Sequence, residues 1–244
     1  MIDTHAHFGD DADEVLARAG EAGVDRIVAV ATTLAGARAA LALADAHDGV
    51  FACLGIHPHE AGGEEADNVD AIRALLAHPK AVAVGETGLD YFRDYAPHDR
   101  QQALFEAQLA VARETGKPVV IHTRAADDDT VARLLTHEGP VILHCFSSPA
   151  LLEPALANGW YVSFAGNVTY KNAFELRAAA RRVPRDRILA ETDSPYLAPQ
   201  AVRGERNEPA YVMHTLEVLA ETRDQAPSEL AAQIDANAAA VFGL

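Results

Sequence analysis

The sequence has few cysteines, few positive charges and no long apolar run. Its two cysteines, Cys53 and Cys145, lie inside apolar stretches. That placement excludes a spaced disulfide framework and points to a reducing compartment. No stretch approaches the ~20 apolar residues needed to cross a bilayer. No charged leader followed by an apolar block opens the chain, so the expectation is a cytoplasmic protein without membrane association. Lys and Arg number 20 against 36 Asp and Glu, a formal net charge of −16. This balance excludes a broad basic face for gripping nucleic acid. It leaves room for a local site where bound divalent cations supply the positive charge. No Gly-rich loop of the G-x-G-x-x-G or Walker type follows an apolar run, which argues against a nucleotide cofactor. No linker divides the chain.

What is present is a large apolar fraction, 49 % of 244 residues, enough for a substantial core. Eight short runs stand out: Ile2–His7, Arg26–Thr32, Val50–Ile56, Ala81–Thr87, Pro118–Thr123, Val141–Phe146, Tyr161–Ala165 and Ile188–Asp193. Most are rich in Val and Ile and continuous rather than alternating, as strands buried on both faces are. Helical patterns separate them, the clearest over His98–Thr115, with Phe105, Leu109 and Ala112 on one face. Others are read at Asp10–Ala22, Leu34–His47, Asn68–Ala77, Asp127–Thr136, Pro149–Ala157 and Phe174–Arg182, with two more, Pro209–Thr222 and Ser228–Ala240, closing the chain. Strand-then-helix repeated eight times predicts an α/β fold: a TIM-type (β/α)8 barrel forming a single domain over residues 1–244, with an open doubly wound sheet as the alternative.

Polar residues of one chemical kind end these runs. His5 and His7 alternate at the end of the first run, so their side chains share a face. Glu86 ends the fourth run, His122 the fifth, His144 the sixth and Asp193 the eighth. In a parallel barrel the C-terminal strand ends converge on one mouth, where active sites are built. Alone, each residue has an ordinary structural reading, such as a hydrogen-bonded histidine, a helix cap or a partner for Arg. Together they are four histidines and two carboxylates, more than one ion requires, and predict two divalent metals. Glu86, with two carboxylate oxygens, is the expected bridge and a catalytic residue. Asp193 is expected both to ligate and to accept a proton from the attacking water. His57 and His59 flank Pro58 just after the third strand, and His57 is read as a substrate contact or as support for a ligand. His47, His78, His98, His137 and His214 show no partner pattern and are expected to face solvent.

Seven segments carry a family resemblance: Asp3-Thr4-His5-Ala6-His7, Gly55-Ile56-His57-Pro58-His59, Val84-Gly85-Glu86-Thr87-Gly88-Leu89-Asp90-Tyr91, Pro118-Val119-Val120-Ile121-His122-Thr123-Arg124, His144-Cys145-Phe146-Ser147, Glu191-Thr192-Asp193-Ser194-Pro195-Tyr196-Leu197 and Arg203-Gly204-Glu205-Arg206-Asn207-Glu208-Pro209. With these in order along nearly the whole chain, the sequence resembles the TatD family of metal-dependent deoxyribonucleases, within the amidohydrolase-like metal barrels. The resemblance implies a phosphodiester hydrolase, often a 3′→5′ exonuclease on single-stranded DNA and possibly RNA, with metal roles at His5, His7, Glu86, His122, His144 and Asp193. Thr87, Phe92 and Ser148 depart from the residues common in the family, and none of them is an expected ligand. Related barrels often bridge two metals with a carbamylated lysine, but no run here ends in Lys.

One ion is expected on His5, His7 and Asp193, the other on His122 and His144. The donor set does not choose among Zn, Mn, Mg, Ni, Co and Fe. Arg124 follows His122 on the same face, and Arg203 and Arg206 lie after the eighth run, where this fold often binds phosphate. All three are expected substrate contacts. The expected partner is nucleic acid as substrate, single-stranded or at frayed ends, with no obligate protein partner. The alternatives are hydrolysis of a small ester, lactone or amide on the same barrel, or a metal-holding scaffold without turnover.

Overall fold

A computed structural model describes every residue except Asp94. The eight strands are β1 (Ile2–Ala6), β2 (Arg26–Val30), β3 (Val50–Leu54), β4 (Ala81–Asp90), β5 (Val119–Arg124), β6 (Val141–Leu143), β7 (Tyr161–Phe164) and β8 (Ile188–Ala190). The helices are α1 (Ala12–Glu21), α2 (Leu34–Ala46), α3 (Val69–Leu75), α4 (His98–Thr115), α5 (Asp127–Leu134), α6 (Leu152–Asn158), α7 (Phe174–Arg182), α8 (Val212–Thr222) and α9 (Pro227–Phe242). Sheet order is sequential from β1 to β8, so the fold class is the TIM-type (β/α)8 barrel expected from the alternating pattern. Backbone contacts group the chain into two compact units, residues 29–143 and residues 1–28 with 144–244.

In the unit of residues 29–143, β3, β4, β5 and β6 pair in parallel. All ten residues of β4 are buried. This strand runs on to Asp90, beyond the expected end at Thr87, and Asp90 pairs with Arg124. Its register shifts between Val84 and Thr87, the stretch that holds Glu86. The glycines at 85 and 88 are required there. A Cβ on Gly88, at φ +139°, would lie 1.9 Å from the His122 carbonyl oxygen, and one on Gly85, at φ +153°, would lie 2.7 Å from that of Val120. Helix α4 buries Leu104, Phe105, Leu109, Val111 and Ala112, and also two glutamines, Gln101 and Gln108. His137, expected to face solvent, is buried just after α5, because the chain turns back toward β6 there.

In the other unit, β7 and β8 pair in parallel and β1 is buried throughout. Thr4 of β1 reaches Ser163 Oγ at 3.2 Å and donates to the Ala190 carbonyl at 3.1 Å. The sixth and eighth strands stop at Leu143 and Ala190, short of the expected ends at Phe146 and Asp193. The backbone leaves the extended region just beyond them: Cys145 has φ 46° and Asp193 has φ 55°. His144 and Asp193 therefore sit on turns that follow strands rather than on the strands themselves. Short 3₁₀ turns, Pro149–Leu151 and Pro209–Tyr211, open the segments expected as continuous helix before α6 and α8.

Candidate metal centres

Each unit gathers its own set of donor atoms. In the unit built on β1, β7 and β8, strand alternation brings His5 and His7 together, with their Nε2 atoms 3.3 Å apart. The turn after β8 brings in Asp193, whose N–H donates to the His5 carbonyl at 2.9 Å. Asp193 Oδ1 stands 3.9 Å from His5 Nε2 and 3.7 Å from His7 Nε2. The centre of that triangle lies ~2.1 Å from every corner, the length of a bond from zinc to imidazole nitrogen or carboxylate oxygen. Two neutral imidazoles and one carboxylate at this spacing fit a divalent ion. Burial pushes the Asp193 carboxyl up, but its hydrogen bond with His7 and the nearby His144, His5 and His7 outweigh that and hold it below the usual carboxylate range.

The same unit supplies a supporting layer. The His144 ring stacks on His5 at 3.9 Å. Its Nδ1 lies 3.0 Å from Glu191 Oε1, which also accepts the Cys145 N–H at 2.7 Å. A buried carboxylate on one imidazole nitrogen fixes the ring and directs the opposite nitrogen, a recurrent arrangement behind metal-bound histidines. Asp3 accepts from the Thr192 N–H (2.9 Å), the Thr192 hydroxyl (2.6 Å) and the His5 N–H (3.2 Å), tying β1 to the turn that carries Asp193. Complete burial pushes the Asp3 carboxyl up to about 8 in spite of these donors.

In the unit of residues 29–143, Glu86 Oε1 lies 2.8 Å from His122 Nδ1 and 3.4 Å from His57 Nε2. Asp90 Oδ2 holds the other side of His122, 3.1 Å from Nε2, and lies 2.9 Å from His59 Nε2. Burial pushes Asp90 up, but hydrogen bonds from His122, the Arg93 N–H and His59 overcome it, so this carboxylate stays well below its ordinary range. Burial pushes His57 down to about 4, against the pull of Glu86, so it is neutral at physiological pH. His57 Nδ1 accepts the His59 N–H at 3.1 Å, which leaves the ring proton on Nε2, directed at Glu86. His57 is thus held as an N–H donor, the form suited to a substrate oxygen, although its atoms also fall within a ligand-sized group with Glu86 and His122.

Of the arginines read as substrate contacts, Arg206 pairs with Asp11 beside a cleft of about 120 Å³ that also borders His7, Arg18 and Glu208. Arg203 lies over the Tyr170 ring at 4.1 Å and Arg124 over Phe92 at 4.0 Å. Asp90, Glu191, Asp3, Gln101 and Gln108 carry no role expected from the sequence pattern. The first three lie in the quoted segments, within four residues of an expected ligand, which is the signal that was available.

The model of the TatD related DNase family matches residues 2–243. The chain is 37 % identical over 252 residues to an uncharacterized metal-dependent hydrolase, YabD, of Bacillus subtilis, covering 99 % of this chain and 98 % of that protein. It is also 37 % identical over 250 residues to the 3′-5′ ssDNA/RNA exonuclease TatD of Citrobacter rodentium, covering 99 % and 95 % of the two chains. The crystal structure of the TatD homolog YJJV from Escherichia coli superposes with a TM-score of 0.92 at 31 % identity, over 100 % of this chain and 98 % of that one.

Proposed function

Because this chain belongs to the TatD-related DNase family of metal-dependent hydrolases, we propose that it removes nucleotides from the 3′ end of single-stranded DNA or RNA by metal-dependent phosphodiester hydrolysis. The observation that carries the proposal is the triangle of His5, His7 and Asp193 donor atoms, sized for a divalent ion. His5, His7 and Asp193 are assigned to one ion, and His122 with Glu86 to a second. A ligand role for His144 belongs to the same proposal, which takes residues 1–244 as one domain. Bound there, divalent ions would supply charge that offsets the phosphate and would lower the pKa of water toward ~7.

The remaining steps belong to the chain's own residues. Asp193, held ionised, accepts the proton of the attacking water at a carboxylate oxygen. His57 donates its Nε2 proton in a hydrogen bond to a phosphate oxygen. Glu191 and Asp90 keep the His144 and His122 rings from turning. Arg124, Arg203 and Arg206 are the proposed contacts to phosphate. A cytoplasmic setting is part of the proposal; among the described residues no helix is long and apolar enough to cross a membrane.

The test is Glu86→Ala. After anaerobic purification and elemental analysis, the wild type is expected to carry divalent metal and to shorten a labelled single-stranded oligonucleotide. The variant is expected to keep its circular dichroism and to lose hydrolysis to background. Near-native activity in the variant would remove Glu86 from the mechanism, and wild-type activity indifferent to chelation and metal add-back would remove the metals.

A further inference from the structure

The loop after β4 presents aromatic rings to solvent beside the histidine cluster. Three aromatics lie within five residues there, and the protein treats them differently. Tyr91 is tied down: its hydroxyl lies 2.6 Å from Asp129 Oδ2 and 2.7 Å from Gln102 Nε2, and its ring stacks on His98 at 3.8 Å. Phe92 and Tyr95 are left 62 % and 63 % exposed, two of the four large apolar side chains that the described residues expose to this degree. Two exposed rings three residues apart beside a cluster of donor groups form a local apolar patch of the kind that marks a binding surface.

Three further observations point the same way. Asp90 uses its two oxygens for two tasks. Oδ2 faces His122 and His59, while Oδ1 accepts the N–H groups of Phe92 (3.0 Å) and Arg93 (2.9 Å). The carboxylate that orients the histidines therefore also fixes where the Phe92 backbone begins its turn. Tyr95 stands edge-on to the His59 ring at 4.7 Å, and His59 lies 4.3 Å from the His57 ring and 6.1 Å from that of His122. The exposed rings thus begin one side chain away from the candidate ligands. Finally, cations accompany them. Arg124 lies over Phe92 at 4.0 Å and Arg93 at 5.7 Å, both exposed, in a chain of net charge −16 where positive groups are scarce. Planar rings for bases, interleaved with guanidinium groups for phosphates, are what an unpaired nucleic-acid strand requires.

We infer that Phe92 and Tyr95, with Arg93 and Arg124, form a base-stacking platform that seats unpaired nucleobases of the substrate next to the hydrolytic centre. The inference rests on the proposed function and adds to it that the enzyme recognises bases by their faces, not only the sugar-phosphate chain. Every base has a π-face, so the platform tolerates all sequences. It rejects a duplex, in which those faces are already stacked.

The test compares a fluorescently labelled single-stranded oligonucleotide with an abasic oligomer of the same length and charge. Binding is measured by anisotropy with the metal chelated, and cleavage with metal restored. Wild type is expected to favour the base-bearing strand by about tenfold or more in both readouts. Phe92→Ala and Tyr95→Ala are each expected to bring the ratio of the two strands close to one, and Phe92→Trp to keep it. Phe174→Ala, which removes an exposed ring on α7 with Arg177 on its face, is expected to leave ratio and rate as they are. Cleavage without base preference in the wild type, or a ratio unmoved in Phe92→Ala and Tyr95→Ala, overturns the platform and leaves the nuclease reading intact. Base-dependent binding lost in those variants, with no cleavage of either strand by the metal-loaded wild type, upholds the platform and overturns the nuclease reading.

Discussion

Gln108→Leu strikes at a support the catalytic reading depends on without touching a candidate ligand. Gln108 is 1 % exposed on α4. Its Oε1 accepts the Ile56 N–H at 2.8 Å, and its Nε2 donates to the Ile56 carbonyl at 2.9 Å and to Thr87 Oγ1 at 2.7 Å. Ile56 precedes His57 and Thr87 follows Glu86, so one side chain fixes the approach of both. Leucine has a similar volume, so the substitution opens no sizeable cavity. It does leave three buried polar groups without this partner, each costing ~1–3 kcal/mol, so the expected loss is about 3–9 kcal/mol. That is a large part of the ~5–15 kcal/mol that holds a typical domain together. Urea unfolding of the metal-free protein, followed by far-ultraviolet circular dichroism, should show a lower midpoint with little change in slope. Under conditions where the variant is still folded, kcat on an oligonucleotide is expected to fall by about a hundredfold, since a shift of ~1 Å in a catalytic group has that effect. A midpoint within ~0.5 kcal/mol of wild type, the size of an ordinary surface substitution, together with unchanged kcat, would refute the reasoning.

Two further predictions concern positions away from the donor atoms or carrying no side chain. Burial, with Arg113 adding to it, lowers the His137 pKa from 6.5, and neither ring nitrogen has a hydrogen-bond partner among the described residues. The unfolded chain therefore takes up this proton first: the stability linked to neutral His137 is complete above about pH 6.5 and is lost as pH falls below it. His137→Leu should raise the unfolding midpoint and flatten its decline between pH 7.5 and 5; parallel declines in variant and wild type would count against the assignment. Gly88→Ala places a methyl group 1.9 Å from the His122 carbonyl oxygen at φ +139°, and should cost more than about 3 kcal/mol, read as lost soluble yield or a collapsed thermal midpoint. A soluble variant melting like wild type would show that β4 and β5 can part at that point.

The fold class and the candidate ligands were legible in the sequence for a shared reason. Parallel strands buried on both faces have to be written as continuous Val/Ile runs, so a His or Glu at the end of such a run stands out against its apolar background. Periodicity placed His98–Thr115 and Phe174–Arg182 at the boundaries of α4 and α7. It failed where backbone conformation changes without a change in hydrophobicity. Leu143-His144-Cys145-Phe146 reads as one run, yet Cys145 turns into the left-handed region, and His144 sits on a bend. The opposite error shortened β4. Gly85 and Gly88 depress the strand signal, but they are present because β5 passes too closely for a side chain. Ending the strand at Thr87 hid Asp90, the carboxylate on which His122, His59 and the Phe92 turn all converge.

The buried glutamines were out of reach for a different reason. Gln101 and Gln108 are seven residues apart, two turns of helix, and so share the face of α4 that also carries Leu104, Phe105 and Ala112. By composition alone a glutamine on a helix is a solvent-facing residue, and nothing in a one-dimensional pattern says that a strand end will leave its N–H and C=O unpaired at that spot. Each side chain, however, satisfies a matched donor and acceptor on one residue: Gln101 with the N–H and C=O of Asp90, Gln108 with those of Ile56. A primary amide is the side chain that can meet a peptide group on both counts, which neither a carboxylate nor an ammonium can do. Wherever a chain leaves a sheet to present a catalytic side chain, its backbone loses ladder partners, and burial makes that loss expensive. The amides of α4 therefore follow from the same requirement as the buried donors they support: the more irregular the backbone that aims a ligand, the more polar the helix behind it has to be.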